Sequence, residues 1–125
     1  MQITAREKAL VRLANKASTD LSGKEGFIAE YDSGLKLSGG TNALGVITEG
    51  GETESDVAIL GTFDGVLRGK AAGTIAVGNK LKVDSNGKLA AYTSGAGTVV
   101  GVALQAGVAD ELVEFAPMAP EVHAA

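Results

Sequence analysis

Apolar and polar positions along this chain fall into short alternating runs punctuated by glycine and aspartate, with no long stretch of helical period. The clearest run is "LKVDSNGKLAAY" at 81–92, where Leu81 and Val83 alternate up to a bend and Leu89 follows it. Asn86-Gly87 is the favoured pair for a type I′ turn, whose two central residues both need positive φ, so this stretch predicts a tight hairpin. An earlier stretch, "AEYDSGLKL" at 29–37, reaches a similar bend at Asp32-Ser33-Gly34, with Phe27, Ala29 and Tyr31 before it and Leu35 and Leu37 after it. "TVVGVAL" at 98–104 is continuously apolar, as a strand covered on both faces would be. "DELVEFA" at 110–116 sets Leu112 and Glu114 against Val113 and Phe115, which predicts one wet face. "PMAPEVHAA" at 117–125 holds both prolines and predicts an extended tail. At the other end, "ITAREKALVRLANKA" mixes good helix formers with strand-like residues; the expectation is an extended arm over 1–8 leading into a strand over 9–15.

The two bends belong to a longer repeat. A shift of 54 superposes 9–17 on 63–71, matching Leu13 with Leu67, Lys16 with Lys70 and Ala17 with Ala71. A shift of 52 superposes Asp32-Ser33 on Asp84-Ser85. A shift of 56 superposes 45–59 on 101–115, where Gly45, Val46, Gly51 and Val57 meet Gly101, Val102, Gly107 and Val113. The matches keep the same order in both halves, and the shift drifts as loop insertions would make it. The predicted fold class is therefore all-β: a small barrel or sandwich built from two similar β-units of about 54 residues, 9–60 and 63–116. The N-terminal arm and C-terminal tail flank this single β domain.

Composition sharpens the picture in three ways. Aromatics are 4% of the 125 residues and tryptophan is absent, so the core is light and subunit interfaces would supplement it. Eighteen glycines against two prolines suit many tight turns. There is no cysteine, hence neither a disulfide framework nor a thiolate metal site, and no apolar run approaches the length of a membrane span. The first twenty residues are charged throughout, the pattern of a soluble protein made in the cytoplasm without a secretory leader.

The net charge of −4 is unevenly spread. Arg6, Lys8, Arg12 and Lys16 against Glu7 give residues 1–16 an excess of 4 − 1 = +3, so the remainder carries −7. An acidic body argues against nucleic acid as the partner. The basic start reads either as a contact arm for an acidic surface or as a solvated strand face.

Candidate chemistry is sparse. His123 is the single histidine, sits in the tail and has no cysteine to activate, which leaves a nucleophile triad without members. Glu52, Glu54 and Asp56, with Glu49 nearby, share one face if extended and could attract Ca²⁺. Their spacing is not that of a twelve-residue calcium loop, and the second copy has Val108, Asp110 and Leu112 there, so a solvated hairpin end is the preferred reading. "GAGTVVG" at 95–101 has one residue too many for a dinucleotide loop and precedes a strand rather than a helix. Phe27, Tyr31, Phe63, Tyr92 and Phe115 are spread singly, as core residues would be, and offer no stacking platform for nucleic acid. No catalytic site, cofactor site or metal site is predicted, and the chain is expected not to be an enzyme.

The residues "FDGVLRGKAAGTIAVGNKLKVDSNGKL" followed by "GVALQAGVADELVEF" resemble the small capsid decoration, or head cement, proteins of tailed bacteriophages, with the likeness extending over about residues 9–116. The first copy, with "GGTNALGVITEGGETESD", is more polar than that pattern. The resemblance implies a protein of the virion that binds the major capsid protein on the outer capsid surface as a homotrimer and stabilises the head by cementing neighbouring capsomers. It implies no nucleic-acid partner and no membrane. Arg6, Lys8 and Arg12 are the capsid-contact candidates, chosen by charge. The rival expectation is a tail or base-plate β-module, or an adhesin-like module binding a protein or carbohydrate; a small hydrolase or isomerase using Asp and Glu is a remoter one.

Overall fold

The computed structural model describes residues 20–61 and 65–124, together with the strand at 10–14. No helix occurs among the described residues. The chain runs through β1 (Leu10–Ala14), β2 (Ile28–Tyr31), β3 (Leu35–Leu37), β4 (Gly45–Glu49), β5 (Glu54–Ile59), β6 (Leu67–Lys70), β7 (Lys80–Val83), β8 (Leu89–Tyr92), β9 (Gly97–Ala103) and β10 (Leu112–His123).

The strands form two antiparallel sheets, ordered β1-β5-β4-β2-β3 and β6-β10-β9-β7-β8. Adding five to each label of the first order gives the second, so each half of the chain builds one sheet with the same topology. The inner registers follow the sequence repeat. Ile28 pairs with Val46 and Lys80 with Val102, related by shifts of 52 and 56. The drift from 52 to 54 has a local cause: three residues separate the paired Tyr31 and Leu35, whereas five separate Val83 and Leu89. The outer registers slide. Leu13 stands opposite Ser55, but its counterpart Leu67 stands opposite Phe115 rather than position 111. A slide of four residues (115 − 111) preserves the pleat, so every side chain stays on its face.

The hairpin at 84–88 is not the two-residue type I′ turn expected from Asn86-Gly87. Gly87 has φ +80°, but Asn86 is not among the non-glycine residues with positive φ. The Gly87 N–H donates to the Asp84 carbonyl at 3.2 Å and the Asp84 N–H to the Lys88 carbonyl at 2.8 Å, which makes a three-residue loop with its glycine in the left-handed position. The Asp84 carboxylate decides the geometry by accepting the N–H groups of Asn86 and Lys88, both at 2.9 Å. In the first copy Ser33 takes the left-handed position, with φ 61°.

Residues 117–123 are extended, as expected, and pairing with β9 holds them. They continue β10: Pro117 lies opposite Gly101, the ladder breaks, and pairing resumes with Glu121 opposite Val99 and His123 opposite Gly97. The prolines donate no ladder hydrogen bonds and sit at the interruption.

The sheets share one core. Ile28, Val46 and Ala58 of the first sheet join Leu81, Leu89, Val113 and Phe115 of the second in a single buried cluster. The first sheet is apolar on its other face too, where Ala29, Leu35, Ile47 and Val57 pack with Leu21 and Phe27 of the preceding loop. The second sheet has one wet face, as the 110–116 alternation predicts: Val113 and Phe115 are buried, and Leu112 and Glu114 are exposed. Backbone bonds tie the halves together, from Ile28 N–H to the Gly87 carbonyl at 2.7 Å and from Lys70 N–H to the Gly26 carbonyl at 2.9 Å.

Candidate interaction surfaces

Where the halves meet, the seam opens into a shallow groove of about 410 Å³. Gly40 and Thr41 form one wall, and Lys82, Asp84, Thr98 and His123 the other. The Thr98 hydroxyl donates to the Thr41 carbonyl at 2.6 Å and closes the floor across the two copies. The Thr41 wall is held from behind by the buried Glu30, whose carboxylate accepts the Gly39 N–H at 2.7 Å, and by the Ser38 hydroxyl donating to the Asn42 carbonyl. These buried polar groups are therefore occupied with backbone, and no buried side-chain nitrogen or oxygen among the described residues lacks a partner. A second hollow adjoins the groove and is lined by Tyr31, Asn42, Pro120 and Val122.

His123 lies at the groove edge, in the extended C-terminal segment. Its Nε2 stands 2.7 Å from Glu121 Oε1, and its ring lies 5.1 Å from that of Tyr92. The Tyr92 hydroxyl donates to the Gly95 carbonyl at 2.8 Å. This is an anchoring arrangement for the end of β10, with no hydroxyl nucleophile on the imidazole among the described residues. Tyr31, expected in the core, is 48% exposed beside the second hollow.

The acidic run is split by the fold. Glu49 ends β4 opposite Asp56, Glu54 begins β5, and Glu52 lies in the connection between them. Among the described residues, no three acidic or histidine side chains gather as a metal-ligand set. Elsewhere, Lys88 Nζ meets Asp110 Oδ1 at 2.8 Å and also stands 5.8 Å from the centre of the Phe27 ring. The hydrogen bond from Lys88, followed by its charge, holds the Asp110 carboxyl below its ordinary value.

Of the cations chosen by charge, Arg6 and Lys8 lie outside the described residues. Arg12 is on β1, an edge strand of the first sheet, opposite Asp56 in the register. The seam groove has no signature in the sequence, because each wall comes from a different copy and pattern carries no pairing between copies.

No known protein family's model matches the chain, and no curated protein matches it. Its fold is similar to that in the crystal structure of the head fiber gp8.5 N base of bacteriophage phi29, with a TM-score of 0.56 at 16% identity. That likeness covers 86% of this chain and 93% of the phage chain, so what the two proteins share is the fold of the whole body.

Proposed function

We propose that this chain is a non-enzymatic structural protein of a tailed-bacteriophage virion, which binds the outer surface of the capsid and cements neighbouring capsomers. The observation that carries the reading is the whole-body fold likeness to a phage head fiber base, which agrees with the resemblance of 9–116 to decoration proteins. The physical chemistry suits such a role. The interior is a light double sheet with no preorganised catalytic group among the described residues, and backbone bonds tie its two halves together. The partner in this reading is the major capsid protein and the working unit a homotrimer, which holds several capsomers at once and gains from multivalent contact.

The test is to titrate purified protein onto expanded heads assembled without it and image them by cryo-electron microscopy. Saturable density on symmetry-related outer positions is expected. Heads that remain bare at saturating protein would overturn the reading. One feature favours a second reading, an adhesin-like module: the exposed Tyr31 beside Asn42 offers an aromatic face and an amide to a sugar. Binding to a glycan array that Tyr31→Ala abolishes would select it.

A further inference from the structure

Among the described residues the second sheet is covered on one side only, and the register shows what its outer face presents. Arg68 of β6 stands opposite Glu114 of β10, and Leu104 follows, its N–H donating to the Glu114 carbonyl. The neighbouring row runs Ala116, Val102, Lys80, Tyr92 from β10 to β8. Lys70 flanks Leu112 at one side, and Lys82 stands opposite Ala90 at the other. Leu104 and Leu112 are 49% and 43% exposed, and Val102 and Ala116, half-buried, form the next row beyond Leu104 and Glu114. The face thus has an apolar centre ringed by four cations, with Glu114 inside the ring and Glu121, at the far end, engaged with His123.

This runs against the charge of the rest of the body. Residues 20–61 hold two lysines against eight carboxylates, or 2 − 8 = −6, whereas residues 65–124 hold five cations against five carboxylates, or 5 − 5 = 0. Two of those five carboxylates are committed elsewhere, Asp84 to its turn and Asp110 to Lys88. Exposed apolar side chains grouped inside a charged rim mark a contact surface rather than a solvated one.

We propose that the outer face of the second sheet docks on a protein surface whose apolar centre is ringed by carboxylates; resting on the reading above, that surface lies on the outside of the capsid. A second copy docking face to face is disfavoured, because it brings together two faces that each set four cations against Glu114. A phosphate backbone is disfavoured by the leucines and by Glu114 in the middle of the face.

The test compares the wild type with Arg68→Glu/Lys80→Glu/Lys82→Glu, with Leu104→Asp as an independent uncharged-to-charged change, and with Lys36→Glu on the first sheet as control. All four proteins are first checked for unchanged circular dichroism and melting, and Leu104→Asp stands in should the triple variant fail to fold. Each is titrated onto expanded heads lacking this protein. The expected result is about tenfold or greater weakening for the triple variant and for Leu104→Asp, with Lys36→Glu unchanged. Wild-type binding is also expected to weaken near 1 M salt, where the screening length is about 3 Å. Wild-type affinity in both outer-face variants, or equal weakening by Lys36→Glu, overturns the docking face while leaving head binding intact. Absence of wild-type binding overturns the head reading and this proposal with it. Sedimentation showing wild-type oligomers that the triple variant dissociates would assign the face to a second copy, and retention of a DNA duplex by the wild type alone would assign it to phosphate; either overturns the proposed partner.

Discussion

A methyl group added at Gly101 would stand 2.4 Å from the Ala116 carbonyl oxygen and 2.6 Å from the Phe115 ring. One added at Gly45, its counterpart in the first copy, would stand 2.3 Å from the Ala58 carbonyl oxygen. Neither position has a left-handed φ, so the requirement is for close approach of a neighbouring strand. The same glycine thus solves the same crossing in both copies, which is the strongest residue-level trace of the duplication. Gly101→Ala is expected to destabilise the fold by about 1–3 kcal/mol, since the obstruction includes backbone that cannot turn aside. Gly73→Ala meets nothing within 4 Å and should move stability by no more than about 0.5 kcal/mol. Urea unfolding of the two variants separates crowding from the general cost of replacing glycine; equal effects would refute the crossing argument.

Asp110 supplies a residue-level prediction in pH. Its folded pKa lies below the ordinary 3.8 because Lys88 donates to the carboxylate. A depressed carboxylate contributes stability in full above the unfolded pKa and loses it as pH falls through the folded one. Asp110→Asn should therefore melt below the wild type at neutral pH, by a small margin because the site is exposed. The gap should close as the pH drops below about 3.8. Melting curves from about pH 2 to about pH 7 test this, and a gap that persists at the acid end would show that Lys88 is not its source.

Among elements, β10 shows most clearly what pattern carries and what it hides. The alternation of Leu112 to Phe115 is legible because one face is wet and the other buries Phe115. Beyond Ala116 the prolines erase the pattern, yet the strand resumes at Glu121, anchored by His123 on Tyr92. The hairpin bends were legible from Asp, Asn and Gly, but the loop length at 84–88 depends on where the Asp84 carboxylate finds its two N–H donors. The slide of the outer registers could not be read, since an even shift leaves every residue on its face. Arg6, Lys8 and Arg12 stand out in sequence as a local run of charge, whereas Arg68, Lys80 and Lys82 belong to a face assembled across the second sheet, which no local pattern reveals. Truncation after Pro117 should cost about 1–2 kcal/mol, a melting shift of several degrees. It should also unprotect the amides at the start of β9 in hydrogen exchange. An unchanged melt would mean that the terminal ladder contributes nothing.

At the scale of the whole molecule, the two copies are not two domains. Ile28, Val46 and Ala58 of the first sheet sit in the same cluster as Leu81, Leu89, Val113 and Phe115 of the second, and the seam adds the bond from Ile28 N–H to the Gly87 carbonyl. Each sheet has its own internal ladder, but among the described residues the second has no other apolar layer to lie on. The expected outcome follows for the chain divided into fragments 1–63 and 64–125. The C-terminal fragment alone should lack a cooperative melt, because the face that buries Leu81 and Phe115 would be bare. Mixing the fragments should restore the native spectrum at an equimolar ratio, and Ile28→Asp in the N-terminal fragment should prevent that recovery. Because the copies share a topology, the C-terminal fragment could also pair with itself, and sedimentation distinguishes that dimer from the mixed complex. The mixed pair should win in competition, since Ile28 and Ala58, which cover the core of the second sheet, correspond to the charged Lys80 and Glu114 in the second copy. A compact, monomeric, cooperatively melting C-terminal fragment would show instead that the ancestral unit still folds by itself and that the shared core is an addition to it.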